Sequence, residues 1–569
     1  MPEQFSQPRR KHILSIALED YFHGPAFSKI ISRKRWGHFE TRFEQNCLAV
    51  LEKLDAVGSC ATFFANSWVA RRRPDLLEEV VRRGHEIALA GQRGVSFRFL
   101  SREALREQLL RDREIVEQAC RKRVAGFRVT DVFLGPSDLW ALEELARNGF
   151  VYDSSVSPFL RAFSAQPWRH FIHENRFSCG SLWEVPLASQ KIAGLMIPIA
   201  GGNYFRQFPE WLVNRMLNRW DRRCTHPLVL YFRLWDFDPL QPRLQTGSLW
   251  RDFRHYRNGE RMVETLNTLL ARFRFTSIAD HLEMTLPAVA PLPASARDAV
   301  MQAASGHAPR IPISIIVPCF NEEAGIPYLA SSLRQLKENL GGEYNLQFIL
   351  VDDGSRDRTW EVLNQYFSGQ SDTLLLQHPH NRGVSAAIMT GLEQAREIAC
   401  SMDCDCSYDP NELKLMLRGM RDGVDLVTAS PYHPAGSVLN VPRWRLFLSR
   451  CSCSLYRMVT GRKLYTFTAC MRVYRRSATV HIPLQNGGFL GVAELISRLV
   501  LEGKQVVEHP ATLEVRIFGQ SSMKVLRTIL GHLRLLSELA QIRLQNRRQD
   551  TVESASRLSA QRAKATTES

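Results

Sequence analysis

The chain has 569 residues, 44% of them hydrophobic and 23% charged, and a formal net charge of +16. At ~100–200 residues per domain this length calls for two or more domains, and the composition excludes a wholly disordered, collagen-like or repeat-only chain. The basic surplus suits phosphate-bearing ligands, an anionic membrane surface or nucleic acid, and no helix-turn-helix, zinc-finger or RNP-like pattern supports the last.

No apolar run approaches the ~18–20 residues of a membrane-spanning helix. The N-terminal stretch lacks the apolar segment and small-residue cleavage site of a secretion signal, so the expected location is the cytoplasm and the 12 cysteines are expected to be reduced. In chain order, the strand-like HILSIAL is followed by helical FETRFEQNCLAVLEKLDAVG, strand-like CATFFAN, helical PDLLEEVVRRG and strand-like HEIALA. Residues 286–310, rich in Pro, Ala and Ser, read as a linker. Beyond it the alternation restarts with ISIIVPCF, GIPYLASSLRQLKENL, FILVDDG, TWEVLNQYF, TLLLQHP and SAAIMTGLEQAREI. Strands alternating with helices predict α/β folds with parallel sheets in both halves. A basic amphipathic helix is expected over 523–548 and a disordered tail over 549–569.

In open α/β sheets ligands bind outside the carboxyl ends of strands. There the second half places Asn321, Glu322 and Glu323 after one strand, and Asp352 and Asp353 at the end of the next. Acidic groups at such ends suit the hydroxyls of a ribose and the donors of a base. Asn381, Arg382 and Gly383 precede a helix start built of small residues, which lets backbone approach a ligand closely. In SMDCDCSYDP, Asp403 and Asp405 flank one residue. In an extended segment both carboxylates face one way and can share a Mg²⁺ or Mn²⁺ ion, which would neutralise a departing nucleoside diphosphate.

The ordered set VPCFNEE, VDDGSRDRT, NRGVSAAIMTGL, DCDCSYDP, TFTACMRVYRR and VVEHPATLEVRIFGQSS resembles the family 2 glycosyltransferases of Rossmann-like GT-A fold, in particular their polyprenyl-phosphate sugar synthase branch. The resemblance implies such a domain over 311–522, a nucleotide-sugar donor, and a polyprenyl phosphate or glycan acceptor. It implies that Pro318, Asn321, Glu323, Asp352, Asp353, Asn381, Gly383 and Asp403 bind the nucleotide-sugar. Asp403 and Asp405 would hold the cation, and Arg445 and Ser521 would meet the acceptor phosphate. Asp405, Glu494, Arg472 and Arg516 would serve catalysis. A lipid phosphate is already an anionic nucleophile, so catalysis would rest on positioning and on arginine forks around two phosphates. A hydroxyl acceptor needs a base, for which Glu494 is the candidate. The chain departs from the family at Thr466, where an aspartate is usual, and at Gly519-Gln520-Ser521-Ser522, where the usual serine-lysine is absent and Lys524 is shifted along. The basic helix suits packing on this domain, or lying on anionic lipid as a peripheral contact at the inner face of the membrane.

In the first half, ILSIALEDYFHG, ATFFANSWVARRRPDLLEEVVRRGHEIA, GFRVTD, WEVPLAS, AGGNYFRQFP and YFRLWDFDP resemble the polysaccharide deacetylase (NodB-homology) family, near its exosortase-associated branch. That implies a distorted (β/α) barrel over 11–285. The family's base aspartate falls on Ala17, its metal aspartate is kept as Asp20, and its two metal histidines fall on Ala90 and Gly94. Arg128 is kept, with Thr130 in place of the following proline, and the acid histidine falls on Arg233. One carboxylate cannot hold a catalytic metal and nothing is left to activate water, so this domain is expected to be inactive unless His23 or His85 builds a rearranged site. The expected function is sugar transfer in cell-envelope or exopolysaccharide synthesis. The alternatives are a bifunctional deacetylase–transferase, which Ala17, Ala90 and Gly94 oppose, and a non-catalytic glycan-binding scaffold, which Asp353, Asp403 and Asp405 oppose.

Overall fold

A computed structural model of the chain describes residues 10–28, 30–91, 101–130, 134–156, 163, 166–192, 195–244, 246, 248–290, 310–439, 443–514 and 529–545, without the side chains of 34, 249 and 443–445. Gly94, Arg516 and Ser521 lie outside this set, as do 291–309 of the linker and 549–569 of the tail. Contacts divide the chain into two compact units, Met1–Ser32 with Thr41–Gln302, and Arg33–Glu40 with Ala303–Ser569. The second unit therefore takes in eight residues, 33–40, that the sequence assigns to the first half. The start of the expected linker belongs to the first unit: Ala288 bridges Lys122, and Arg123 N–H donates to the Pro287 carbonyl.

In the first unit the described strands are β1 (Lys11–Ala17), β2 (Thr62–Ala65), β3 (Glu86–Ala90), β4 (Gly126–Arg128), β5 (Tyr152–Asp153), β6 (His173–Phe177), β7 (Gly180–Glu184), the β8 (Ser189–Ile192) and β9 (Leu195–Pro198) hairpin, β10 (Val229–Arg233) and β11 (Arg274–Thr276). The main sheet runs β10-β1-β2-β3-β4-β5-β7-β6, with β11 beside the start of β1. It is parallel from β10 through β7. This is the strand succession of a (β/α) barrel, left open among the described strands between β10 and the β6–β7 hairpin. Parallel strands covered on both faces must be apolar throughout, and six of the seven β1 residues are buried. Ile16, Phe63, Leu89, Phe127 and Phe232 from successive strands meet in one core.

In the second unit the strands are β12 (Ile311–Cys319), β13 (Tyr344–Asp352), β14 (Thr373–Gln377), β15 (Ile398–Ser401), β16 (Leu426–Ser430), β17 (Ser437–Leu439), β18 (Arg472–Arg475), β19 (Val506–Pro510) and β20 (Thr512–Glu514). The large sheet runs β14-β13-β12-β15-β18-β16-β19, and β17 pairs with β20. Its first four strands are parallel, and β18 is antiparallel to both neighbours. Helices Ile326–Leu340, Thr359–Phe367 and Val384–Gln394 connect the parallel strands. Helix Val384–Gln394 packs closely through Gly391, where a Cβ would stand 2.4 Å from the Ile316 methyl. From β12 the chain builds outward to β13 and β14, then crosses to the other side of β12 as β15. This reversal puts a crevice between the carboxyl ends of β12 and β15. Residues 529–545 are helical and bury Leu535, Leu536 and Leu539 in the core of this unit, with His532 Nδ1 2.8 Å from the Tyr456 hydroxyl.

One carboxylate fastens the start of the first unit. Asp20, just beyond β1, accepts from Tyr21 N–H on one oxygen and from Arg42 and Phe43 N–H on the other, at 2.7–3.1 Å. It thereby ties the β1 exit to the first turn of helix Phe43–Ala56. Burial pushes its pKa up to about 7, against the pull of those three donors. The folded state therefore keeps a proton that the unfolded chain loses near pH 4. The stability this group contributes is complete below about pH 4 and is lost as the pH rises through 7. Asp20→Asn removes that dependence. In melting curves the deficit of the variant relative to the parent should be larger at pH 4.5 than at pH 8; an equal deficit at both would contradict the assignment.

Candidate active site

The carboxyl ends of β14, β13, β12 and β15 carry Asn321, Glu323, Asp352, Asp353, Asn381, Gly383, Asp403 and Asp405. Asn321, in the left-handed region at φ 53°, donates its N–H to Ser355 Oγ and accepts from Arg356 N–H at 2.8 Å. Glu323 N–H donates to the Asp357 carboxylate, and Glu323 accepts from Arg358 N–H. These reciprocal bonds stitch the β12 exit to the β13 exit, with Pro318 buried in the strand below. Asp352 accepts from Ser355 N–H and from Gln377 Nε2.

Asp353 accepts from Arg382 N–H at 2.9 Å, from Gly383 N–H at 2.7 Å and from His378 Nδ1 at 2.8 Å. It folds the Asn381–Gly383 loop over the sheet end. Gly383 has φ 92°, and a Cβ there would lie 2.3 Å from the Gly488 nitrogen, so this position admits only glycine. Asn381 and Arg382 stay exposed.

Across the crevice, the D-x-D segment is a turn rather than the extended stretch expected. Cys406 N–H returns to the Asp403 carbonyl at 3.1 Å, and Cys406 itself sits at φ 50°. Asp403 and Asp405 are nevertheless both half-buried, while Cys404 and Cys406 are buried. Asp405 accepts from Ser407 N–H and Oγ at 2.9 and 2.5 Å, an Asx-type turn that fixes its carboxylate.

Two of the expected catalytic groups are buried and bonded within the domain. Glu494 is fully buried and accepts from Gln485 N–H, Asn486 N–H, Asn486 Nδ2 and, at 2.7 Å, Arg498 Nε. Its oxygens hold the loop that abuts Gly383. Arg472 is fully buried in β18 and donates to the Val492 and Phe467 carbonyls. Arg445 lies in helix Arg443–Thr460 with its side chain outside the described residues. Glu508, which the sequence did not single out, accepts from Tyr465 and Thr466 N–H and anchors the start of the TFTACMR block. Thr466 itself bonds to Ser430 Oγ at 2.9 Å. The one local signal for Glu508 is an acidic residue following two valines in a strand.

In the first unit the strand ends gather Ala17, Ala90, Arg128 and Arg233: Ala17 is paired with Arg233, and Ala90 with Arg128. Arg128 is fully buried, donates to Ser15 Oγ, the Ser154 carbonyl and Ser154 Oγ, and lies 4.4 Å from the Phe64 ring and 4.5 Å from that of Tyr231. Burial pushes its pKa down to about 10. Arg233 pairs with the buried Glu19 at 3.2 Å and donates to the Thr130 carbonyl. Asp20, expected as the surviving metal ligand, spends both oxygens on the backbone as described above. His23 Nδ1 accepts from Asp20 N–H, and His85 Nδ1 from Ala61 N–H, so both act as local ties. Among the described residues no group of three or more His, Cys, Asp or Glu could hold a metal ion.

Models of known families match both units. A polysaccharide deacetylase model matches residues 36–134, a domain of unknown function (DUF3473) matches 154–283, and glycosyl transferase family 2 matches 314–482. A polyprenol monophosphomannose synthase of Mycolicibacterium smegmatis is 30% identical over 217 residues, 37% of this chain and 80% of that protein. A dolichol-phosphate mannosyltransferase of Pyrococcus furiosus is 26% identical over 232 residues, 40% of this chain; the chain spans 63% of that relative's length, just under two thirds. A glucosyl-3-phosphoglycerate synthase from Mycobacterium tuberculosis, solved with Mn²⁺ and UDP, superposes over 42% of this chain and 82% of its own, at 17% identity and a TM-score of 0.32. With its strand-end loops assembled around the crevice beside β12, and a polysaccharide deacetylase domain ahead of it in sequence, the chain belongs to glycosyl transferase family 2.

Proposed function

We propose that the second unit transfers a sugar from a nucleoside-diphosphate sugar to the phosphate of a polyprenyl lipid in cell-envelope or exopolysaccharide synthesis. The observation that supports this reading is the reversal of strand order between β12 and β15, with Asn321 and Glu323 at the exit of β12 and the Asp403–Asp405 turn following β15. The relatives named above, which act on polyprenol and dolichol phosphates, support the acceptor class. The Asp403 and Asp405 carboxyls fit a hard divalent cation, because Mg²⁺ and Mn²⁺ commonly take one or two protein carboxylates and complete their shells with phosphate oxygens and water. When bound, such a cation supplies charge neutralisation for the diphosphate.

The chain's own residues do the positioning. In this reading Asp353 and Gly383 shape the nucleotide loop, and the Asn321–Arg356 bond ties the β12 exit to the β13 exit. An acceptor that is already anionic needs no base, which agrees with a Glu494 whose oxygens are taken by N–H donors. A lipid acceptor also needs a surface. Exposed Phe447 and Met458 on helix Arg443–Thr460, and Leu530, Leu533 and Leu544 on 529–545, support a lipid contact. Among the described residues no helix is long and apolar enough to cross a membrane.

For the first unit we propose a domain that does not hydrolyse acetyl groups, because Ala17, Ala90 and Gly94 stand where the family's chemistry needs a base and metal ligands, and Arg233 where it needs an acid. Incubated with N-acetylated oligosaccharides and Zn²⁺ or Co²⁺, the purified chain should release no acetate above the protein-free control; metal-dependent release would refute this. For the second unit, calorimetry of the full chain with GDP and with UDP, each with and without Mn²⁺, should show cation-dependent binding of one of them. Asp405→Ala should weaken that binding at least tenfold, a loss of about 1.4 kcal/mol. Equal affinity in parent and variant would place the cation elsewhere.

A further inference from the structure

The eight residues that the second unit takes from the N-terminal half reach the D-x-D turn. Arg35, whose side chain is 3% exposed, spreads its guanidinium over three partners. Nε donates to the Tyr328 hydroxyl in helix Ile326–Leu340 at 3.1 Å, one Nη donates to the Glu514 carboxylate at the end of β20 at 2.6 Å, and the other donates to the Cys406 carbonyl at 2.6 Å. Cys406 follows Asp405 directly and holds the left-handed backbone that closes the turn. A non-glycine residue there costs of order 1 kcal/mol and persists only where its surroundings enforce it. A charge-assisted hydrogen bond to its carbonyl is such an enforcement.

The same arginine grips the turn a second way. Glu514 N–H donates to the Ser407 carbonyl at 3.0 Å, and Ser407 N–H and Oγ in turn bond to Asp405. The flanking residues of the segment are anchored alongside. Phe39 packs on the Tyr328 ring at 4.7 Å, His38 Nε2 lies 3.4 Å from the Asp409 carboxylate, and Gly37 passes so close to Gln335 that a Cβ would lie 2.7 Å from its oxygen.

We propose that Arg35 is a positioning residue of the transferase site, setting the turn that presents Asp403 and Asp405, so that binding of cation and nucleoside diphosphate depends on a side chain outside the matched transferase segment. The inference rests on the reading of those two aspartates as the cation site. A planar fork with three separately directed donors makes this task specific to arginine, since lysine is a point charge on a flexible stem.

The test is calorimetry on the full chain with Mn²⁺ and whichever of GDP and UDP the parent binds. Arg35→Met should raise Kd about 10- to 100-fold, and Arg35→Lys should fall between variant and parent. A purely structural role would lower the fraction of competent protein, seen as reduced stoichiometry, and leave Kd unchanged. Stoichiometry and Kd are separate outputs of the same titration, and Arg35→Lys supplies the reading if Arg35→Met does not fold. A Kd within twofold of the parent in the folded variant overturns the role of Arg35 alone. Absence of Mn²⁺-dependent binding in the parent overturns the site reading, and the inference with it.

Discussion

A carboxylate withdrawn from water must be met by donors, and in this protein the donors are mostly backbone N–H groups. Asp20 takes three, Asp353 two and a histidine, Glu494 two with Asn486 Nδ2 and Arg498, and Glu508 those of Tyr465 and Thr466. Each bond fixes a loop at the end of a strand. The chain from Glu494 to the 485–488 loop, from Gly488 to Gly383, and from Gly383 to Asp353 is continuous, so the β14 exit is held from below and from the side. A site made of loops gains its precision from such ties rather than from the loops themselves. Asp403 and Asp405 are half-buried, as Glu508 is, whereas Asp20, Asp353 and Glu494 are buried.

The same rule holds inside the first unit. Arginines occupy the strand ends, and each finds oxygen partners already present there: Ser15 and Ser154 for Arg128, Glu19 and Thr130 for Arg233. Breaking a buried pair by removing one partner is far costlier than keeping it. Such an interior is a packed core with cationic groups built in.

Much of the fold was legible because its signals are local. Continuous apolar strands alternating with helices gave parallel sheets in both halves, and the acidic strand ends pointed to the crevice. The partners of Glu494 and Arg472 were not legible, since the Gln485 and Asn486 N–H groups and the Val492 and Phe467 carbonyls that meet them are brought there by tertiary packing. The D-x-D spacing did not reveal a turn, because the left-handed Cys406 depends on Arg35, which lies far away in sequence and inside a segment that reads as part of the first half. The reach of 33–40 into the second unit leaves no compositional trace, because Arg, Trp, His and Phe suit an ordinary first-half core equally well.

The central claim is sugar transfer to a lipid phosphate, and it is tested most directly by following the sugar. The purified full chain is incubated with Mn²⁺, a polyprenyl phosphate in detergent micelles and a panel of radiolabelled nucleoside-diphosphate sugars, and the label is partitioned between organic and aqueous phases. The account predicts label in the organic phase for at least one donor, dependent on both the cation and the lipid phosphate. Label that stays aqueous with every donor, or reaches a soluble glycan instead, would contradict it.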